Sequence, residues 1–311
     1  LATSSTDYIR LTSDGCNAIV NDNQNVAGLL MLNPYDAGGH YVSLASASAG
    51  YQLFNSSNKL LAVESGPLTL YDFSQTSPTI KSIGSAATEP VADLQILDDD
   101  SKILFESTVS NRIALKRTSN DLSTTPVTLS DSIPSGGCAY LPRENSGDQY
   151  QYFNGIKVTS VNQVNNGVSP DRTKVIYHAP RDSGSSSDSD LFISTINTAS
   201  PNPLRLNLNP ISSTSLVVYK AAFTPDSTKV VYSSNDTESG WRLYSINVDG
   251  TGRVLLAADL ASSSTFGVLP KAWSISPDGV WVYYVGMQGN GDYEIHKTRV
   301  DGSTNSSTTL I

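Results

Sequence analysis

Three histidines, His40, His178 and His296, are the side chains of this chain best suited to proton transfer or metal ligation near neutral pH. None stands at a metal-ligand spacing. There is no His-Glu-x-x-His, and Cys16 and Cys138 are far from a Cys-x-x-Cys pair. His178 follows Ile176-Tyr177 and His296 follows Glu294-Ile295, positions that read as strand ends. A nucleophilic serine would need a strained Gly-x-Ser-x-Gly elbow, and a phosphate cradle would need a Gly-rich loop opening a helix; neither occurs. The expectation is a protein that is not an enzyme, with no catalytic residue, cofactor or metal.

Acidic loops are the next candidates. Asp98-Asp99-Asp100 and the run from Asp182 to Asp190 carry oxygen ligands of the kind Ca²⁺ takes, but neither has the spacing of an EF-hand loop, and both read as solvated turns. Three polar loops stand out as a binding rim: Asp182 to Asp190, with Asp188 between; Ser234 to Gly240, with Asn235 and Glu238, followed by Trp241; and Gln288 to Asp292, with Asn290. Such a rim suits a protein partner, or a cationic or sugar-like ligand. Trp241, Trp273, Trp281 and Tyr283 fall on or beside strands, where aromatics chiefly pack between neighbouring sheets.

Charge removes one class of partner. Twenty basic residues are scattered among 29 acidic ones, for a net charge of −9. Duplex binding draws its affinity from clustered Lys and Arg that release counterions from phosphates, so nucleic acid is not expected as a partner. No run of apolar residues reaches the roughly 20 that cross a bilayer as a helix, so no membrane insertion is expected. The chain starts at Leu1 instead of Met, so it is either processed, with a signal peptide removed, or an excised piece. Asn55, Asn235 and Asn305 head glycosylation sequons that only an exported chain would use. Cys16 and Cys138 form either one disulfide or two buried thiols. An extracellular or periplasmic location is the expectation.

The elements that position these loops show as an internal repeat. Val168-Ser169-Pro170-Asp171 leads into Lys174-Val175-Ile176-Tyr177, Phe223-Thr224-Pro225-Asp226 into Lys229-Val230-Val231-Tyr232, and Ile275-Ser276-Pro277-Asp278 into Trp281-Val282-Tyr283-Tyr284. The prolines recur at 55 and 52 residues. Proline pre-sets φ in each turn, aspartate bonds to local backbone, and a β-branched and aromatic strand follows. A second strand comes next, Leu191-Phe192-Ile193, Leu243-Tyr244-Ser245-Ile246 or Tyr293-Glu294-Ile295. Asp249-Gly250 and Asp301-Gly302 then turn into a fourth strand. Weaker echoes continue backwards, and the anchors Asn17, Lys59, Lys102, Cys138, Lys174, Lys229 and Val280 mark seven units. Four strands per unit at this period predict an all-β β-propeller of seven blades, each a four-stranded antiparallel sheet, in a single domain over 1–311.

Residues 166–311 resemble the TolB-like propeller repeat, also called WD40-like or PD40. Ser276-Pro277-Asp278-Gly279 matches its turn in full, Thr224-Pro225-Asp226 and Ser169-Pro170-Asp171 match it without the glycine, and Leu243-Tyr244 with Asp249-Gly250 matches its closing strand and turn. The resemblance implies sheets arranged radially around a channel, and a fold that serves many roles. TolB itself is a periplasmic protein-binding module. The leading expectation is a non-catalytic protein-interaction module. Its alternatives are a subunit of an extracellular assembly, joined through the strand-compatible ends at residues 1–5 and 306–311, and a carbohydrate-binding or glycan-processing propeller, which would require His178 and His296 to converge.

Overall fold

A computed structural model describes residues 8–11, 18–22, 28–32, 41–46, 50–53, 59–63, 67–73, 79–83, 91–97, 99–109, 112–130, 152–153, 156–157, 167–179, 190–199, 201–207, 218–235, 241–257, 268–287, 292–303 and 308–309. Among them every element is a strand, and every pairing between strands is antiparallel. The chain divides into two compact units, Leu1–Val127 with Tyr150–Val158, and Thr128–Gln149 with Thr159–Ile311.

In the first unit, β1 (Tyr8–Leu11), β2 (Ala18–Asp22), β3 (Gly28–Leu32) and β4 (Tyr41–Ser46) pair in chain order. So do β5 (Gly50–Leu53), β6 (Lys59–Val63), β7 (Leu68–Asp72) and β8 (Thr79–Ile83). The third sheet is β9 (Val91–Ile96), β10 (Lys102–Val109), β11 (Arg112–Ser119) and β12 (Val127–Thr128), the division between units falling within β12. A short hairpin, β13 (Tyr152–Phe153) and β14 (Ile156–Lys157), completes the unit. Leu68 and Leu70 pack against Val91, Ile103 and Phe105, joining the second sheet to the third.

The second unit holds three sheets. They are β15 (Lys174–Ala179), β16 (Asp190–Thr195) and β17 (Leu204–Arg205); β18 (Val218–Phe223), β19 (Lys229–Ser234), β20 (Arg242–Asn247) and β21 (Val254–Ala257); and β22 (Val268–Ile275), β23 (Trp281–Met287), β24 (Tyr293–Arg299) and β25 (Thr308–Thr309). Strand alternation sends one set of side chains to each face. Ile176, Leu191 and Ile193 meet Val230, Tyr232, Tyr244 and Ile246 of the following sheet. Val231 and Leu243, on the opposite face of that sheet, meet Trp273, Val282 and Tyr284 of the next. The middle sheet is therefore apolar on both faces. Fully burying each such side chain is worth roughly 1.5–3 kcal/mol, so both seams stabilise the unit.

One turn recurs directly before β15, β19 and β23. The N–H groups of Ser169, Thr224 and Ser276 donate to the carbonyls of Lys174, Lys229 and Trp281 at 2.9, 2.9 and 2.8 Å. The hydroxyl oxygens accept the N–H of the same three residues at 2.9, 3.0 and 2.8 Å. Each hydroxyl proton goes to the aspartate two residues on, Asp171, Asp226 or Asp278. That carboxylate accepts the N–H of Thr173, Thr228 or Val280. The residue after each aspartate, Arg172, Ser227 or Gly279, has φ of 59°, 61° or 72°. This fixes the register of the third copy: Trp281, not Val280, is the equivalent of Lys229.

The same geometry appears in the first unit, where the sequence pattern had faded. Leu97 N–H donates to Lys102 O at 3.0 Å, Asp100 N–H to Leu97 O at 2.8 Å, and Asp100 sits at φ 55°. Asp99 accepts Ser101 N–H at 3.0 Å, as Asp171 accepts Thr173. The closing turn also repeats. Leu122, Gly250 and Gly302 have φ of 54°, 82° and 70°, and their N–H groups donate to Ser119, Asn247 and Arg299. Asp121, Asp249 and Asp301 each accept the N–H two residues on at 2.9 Å.

Candidate functional site

The loops singled out as a rim join β15 to β16, β19 to β20 and β23 to β24, at the end of each sheet opposite its Ser/Thr-x-Asp turn. Of the eight rim residues, Asp182, Asp188, Glu238 and Asn290 lie outside the described residues. Asn235, directly after β19, and Trp241, directly before β20, are half-buried, and Asp292, directly before β24, is exposed. Of the sequons, Asn235 is described, while Asn55, Asn305 and both cysteines, Cys16 and Cys138, fall outside the described residues.

Asp190 departs from the expected role. It opens β16 and is 1 % exposed, where an unpaired carboxylate would be costly. Asn207 Nδ2 donates to it at 2.7 Å and Arg205 Nη1 at 3.3 Å, while Asn207 Oδ1 accepts Leu191 N–H. Its carboxylate therefore pins the edge of its own sheet.

The histidines do not converge. His178 lies on β15 and His296 on β24, with the sheet β18–β21 packed between their two sheets. His178 keeps some accessible surface, yet the protein around it pushes its imidazole down to about 4, so the ring is neutral at pH 7. His296 is buried, stacks on Tyr284 with centroids 5.2 Å apart, and has Nε2 3.6 Å from Glu294. This arrangement removes the observation on which the glycan-processing alternative depended. No group of three or more His, Cys, Asp or Glu suited to a metal occurs among the described residues.

The turn aspartates are held as anions. Bonds from Ser276 and from Val280 N–H put Asp278 below the ordinary carboxylate range, and Thr251 does the same for Asp249. Burial opposes ionisation of Asp171 and Asp226, but the hydrogen bonds from Ser169 and Thr173, and from Thr224 and Thr228, outweigh it. Asp301 is lowered by Arg299, and Asp121 by Ser119 and Ser123. These carboxylates are committed to their own turns.

The aromatics behave in two ways. Trp273 is buried in the seam between the last two sheets, with Lys220 Nζ 4.7 Å from its ring centroid and bonded to its carbonyl at 2.9 Å. Trp281 is half-buried, with Lys297 Nζ 4.8 Å from its ring centroid. Tyr283 breaks the expected pattern: it is 39 % exposed, as are its neighbours on the same face, Ile295 at 42 % and Tyr293 at 59 %. Sequence reasoning missed this face, because alternation reports which side chains share a side and not whether anything covers it. Within the strand-compatible C-terminal end, Thr308 and Thr309 pair with Lys297 and His296 as the fourth strand of their own sheet.

The fold is that of a repeated four-stranded antiparallel sheet, and solved structures similar to it include TolB and related β-propeller proteins. No family model and no curated protein matches the chain. Dipeptidyl peptidase 4 of Porphyromonas gingivalis overlays 98% of this chain and 47% of its own, with TM-score 0.54 and 13% identity. A puromycin hydrolase overlays 99% of this chain and 47% of its own, with TM-score 0.49 and 13% identity. A TolB from Agrobacterium tumefaciens overlays 98% of this chain and 80% of its own, with TM-score 0.41 and 13% identity. The chain spans about half the length of the two enzymes. These likenesses speak to the fold alone, and they correct one expectation. The missing nucleophile and metal motifs had excluded catalysis, yet this architecture occurs within an enzyme, the dipeptidyl peptidase. Catalytic groups gathered from separate loops leave no contiguous motif to read.

Proposed function

We propose that residues 1–311 form a run of seven TolB-like propeller blades that works outside the cytoplasm by binding protein. The observation that carries this reading is the turn shared by Leu97–Lys102, Ser169–Lys174, Thr224–Lys229 and Ser276–Trp281, with the same backbone bonds and the same left-handed residue in each. It supports one repeating unit across both halves of the chain, as in the TolB-like repeat. Repeated sheets bring equivalent loops out at one end, and there the chain places Asn235, Trp241 and Asp292. An aromatic amid polar groups is the composition that protein interfaces favour at their energetic centres. The net charge of −9 and the absence of basic runs argue for a protein partner over a phosphate backbone.

Capture from an envelope extract of the source cells tests this. A protein retained in proportion to the bound chain, and native chain found in the extracytoplasmic fraction, support the reading. Native chain found with the cytoplasm, or no protein retained in that proportion, counts against it.

A further inference from the structure

Trp241 and Asp292 stand on neighbouring sheets, the first directly before β20 and the second directly before β24. A binding pair carried by two sheets keeps its spacing only where those sheets are fixed to each other. The seam between them sets Val231 and Leu243 against Trp273, Val282 and Tyr284. Such apolar contact stabilises but has no direction. Directional ties must therefore set how the two sheets stand at the rim.

At the turn end the two sheets are closely tied. Ser245 Oγ donates to Val300 O at 2.7 Å. A Cβ at Gly279 would lie 3.3 Å from Pro225 Cδ, and Gly302 stands too near Val254 Cγ1 for a Cβ to fit. Nearer the rim the seam is crossed by Lys220. Its ammonium, carried on β18, donates to Trp273 O on β22 at 2.9 Å and lies 4.7 Å from the centroid of the Trp273 ring. A charged donor makes a stronger bond than a neutral one, and the ring face adds to it.

Both ends of this tie follow a break in a first strand. The register shifts between Val218 and Lys220 in β18, and between Val268 and Trp273 in β22. An irregularity of this kind re-aims a side chain and interrupts the local ladder. Lys220 pairs with Ser233, and Ser233 with Leu243, so the tie lies on a rung two residues from Asn235 and two from Trp241. Ser245 lies two residues further towards the turns.

We propose that Lys220 is a positioning residue of the rim, its strap from β18 to β22 fixing the spacing between Trp241 and Asp292. This rests on the reading of the rim as the partner site, and names what holds that site in shape. Without the strap the two sheets stay pinned at their turns, and their rim ends are free to splay.

Pulsed electron–electron resonance between two spin labels tests this with no partner present. Labels attached through ketone side chains introduced at Asn235 and Asp292 leave Cys16 and Cys138 untouched. Lys220→Met keeps the aliphatic stem and removes the charge and the donors. It is expected to lengthen and broaden the distance distribution. Lys229→Met breaks a bond to Asn247 Oδ1 inside one sheet, and is expected to leave the distribution as in wild type. Circular dichroism checks each fold, and Lys220→Gln substitutes if Lys220→Met fails to fold. A distribution unmoved in the folded variant overturns the proposal, as does an equal change in Lys229→Met. Failure of both Lys220 variants to fold also overturns it, since Lys220 would then be a folding residue and not a spacer. A chain that retains no partner counts against the binding reading and leaves the spacing result standing.

Discussion

Single residues in this chain show how a repeat can keep its geometry while losing its signature. Gly279, Ser227, Arg172 and Asp100 occupy one left-handed position, and only the first is a glycine. A side chain there costs about 1–2 kcal/mol, while glycine frees the unfolded chain by about 0.4–1 kcal/mol. Arg172→Gly is therefore expected to raise the urea midpoint, by up to about 1 kcal/mol in stability; a lower midpoint would contradict the strain. Leu122 is the opposite case. It also holds a left-handed turn, but packs at 3 % exposure in the core with Leu68 and Ile103. Losing a buried leucine costs about 2–5 kcal/mol, which outweighs the relief, so Leu122→Gly is expected to destabilise. His178 gives a pH signature. Its folded pKa of about 4 lies below its ordinary 6.5, so the folded state binds fewer protons between those values. Stability is expected to be full above pH 6.5 and to fall as pH drops towards 4, with a shallower fall in His178→Gln. The depressed turn aspartates add a further loss only below about pH 3.8. Thermal midpoints between pH 4 and 8 that run parallel in the two proteins would contradict this.

At the scale of elements, the last three sheets were legible because Ser-Pro-Asp, alternating Val and Tyr, and Asp-Gly each act through local physics: fixed φ, side-chain-to-backbone bonds and strand alternation. The first unit was legible only as an echo. There Leu97 stands where Ser169 stands and Leu122 where Gly250 stands, so the backbone keeps its path while the residue types that announce it are gone. The closing turns also pack against their neighbours. A Cβ at Gly250 would lie 2.8 Å from Leu204 Cδ2, at a φ of 82° that side chains resist. Gly250→Ala is expected to cost about 1–2 kcal/mol in stability, read by urea unfolding; an unchanged midpoint would mean that Leu204 and the turn yield freely.

The molecule as a whole was less readable than its parts. Composition argued against nucleic acid through charge alone, and the repeat pointed to an all-β chain of antiparallel sheets, but function depends on what gathers around loops and ends. Asp190 illustrates this. From sequence it belonged to an acidic rim loop; in the fold it is a buried partner of Asn207 and Arg205, because that loop ends one residue earlier than its composition does. Tyr283 illustrates the converse, a core residue by pattern that is 39 % exposed in the structure. Trp241 and Asp292 keep the positions from which a partner could be held. The most direct measurement sets capture by the wild-type chain against capture by a Trp241→Ala/Asp292→Asn chain, from the same envelope extract. The account predicts that the wild-type chain retains a partner in fixed proportion and that the variant, with an unchanged melting temperature, loses it. Equal retention by the two chains would contradict it.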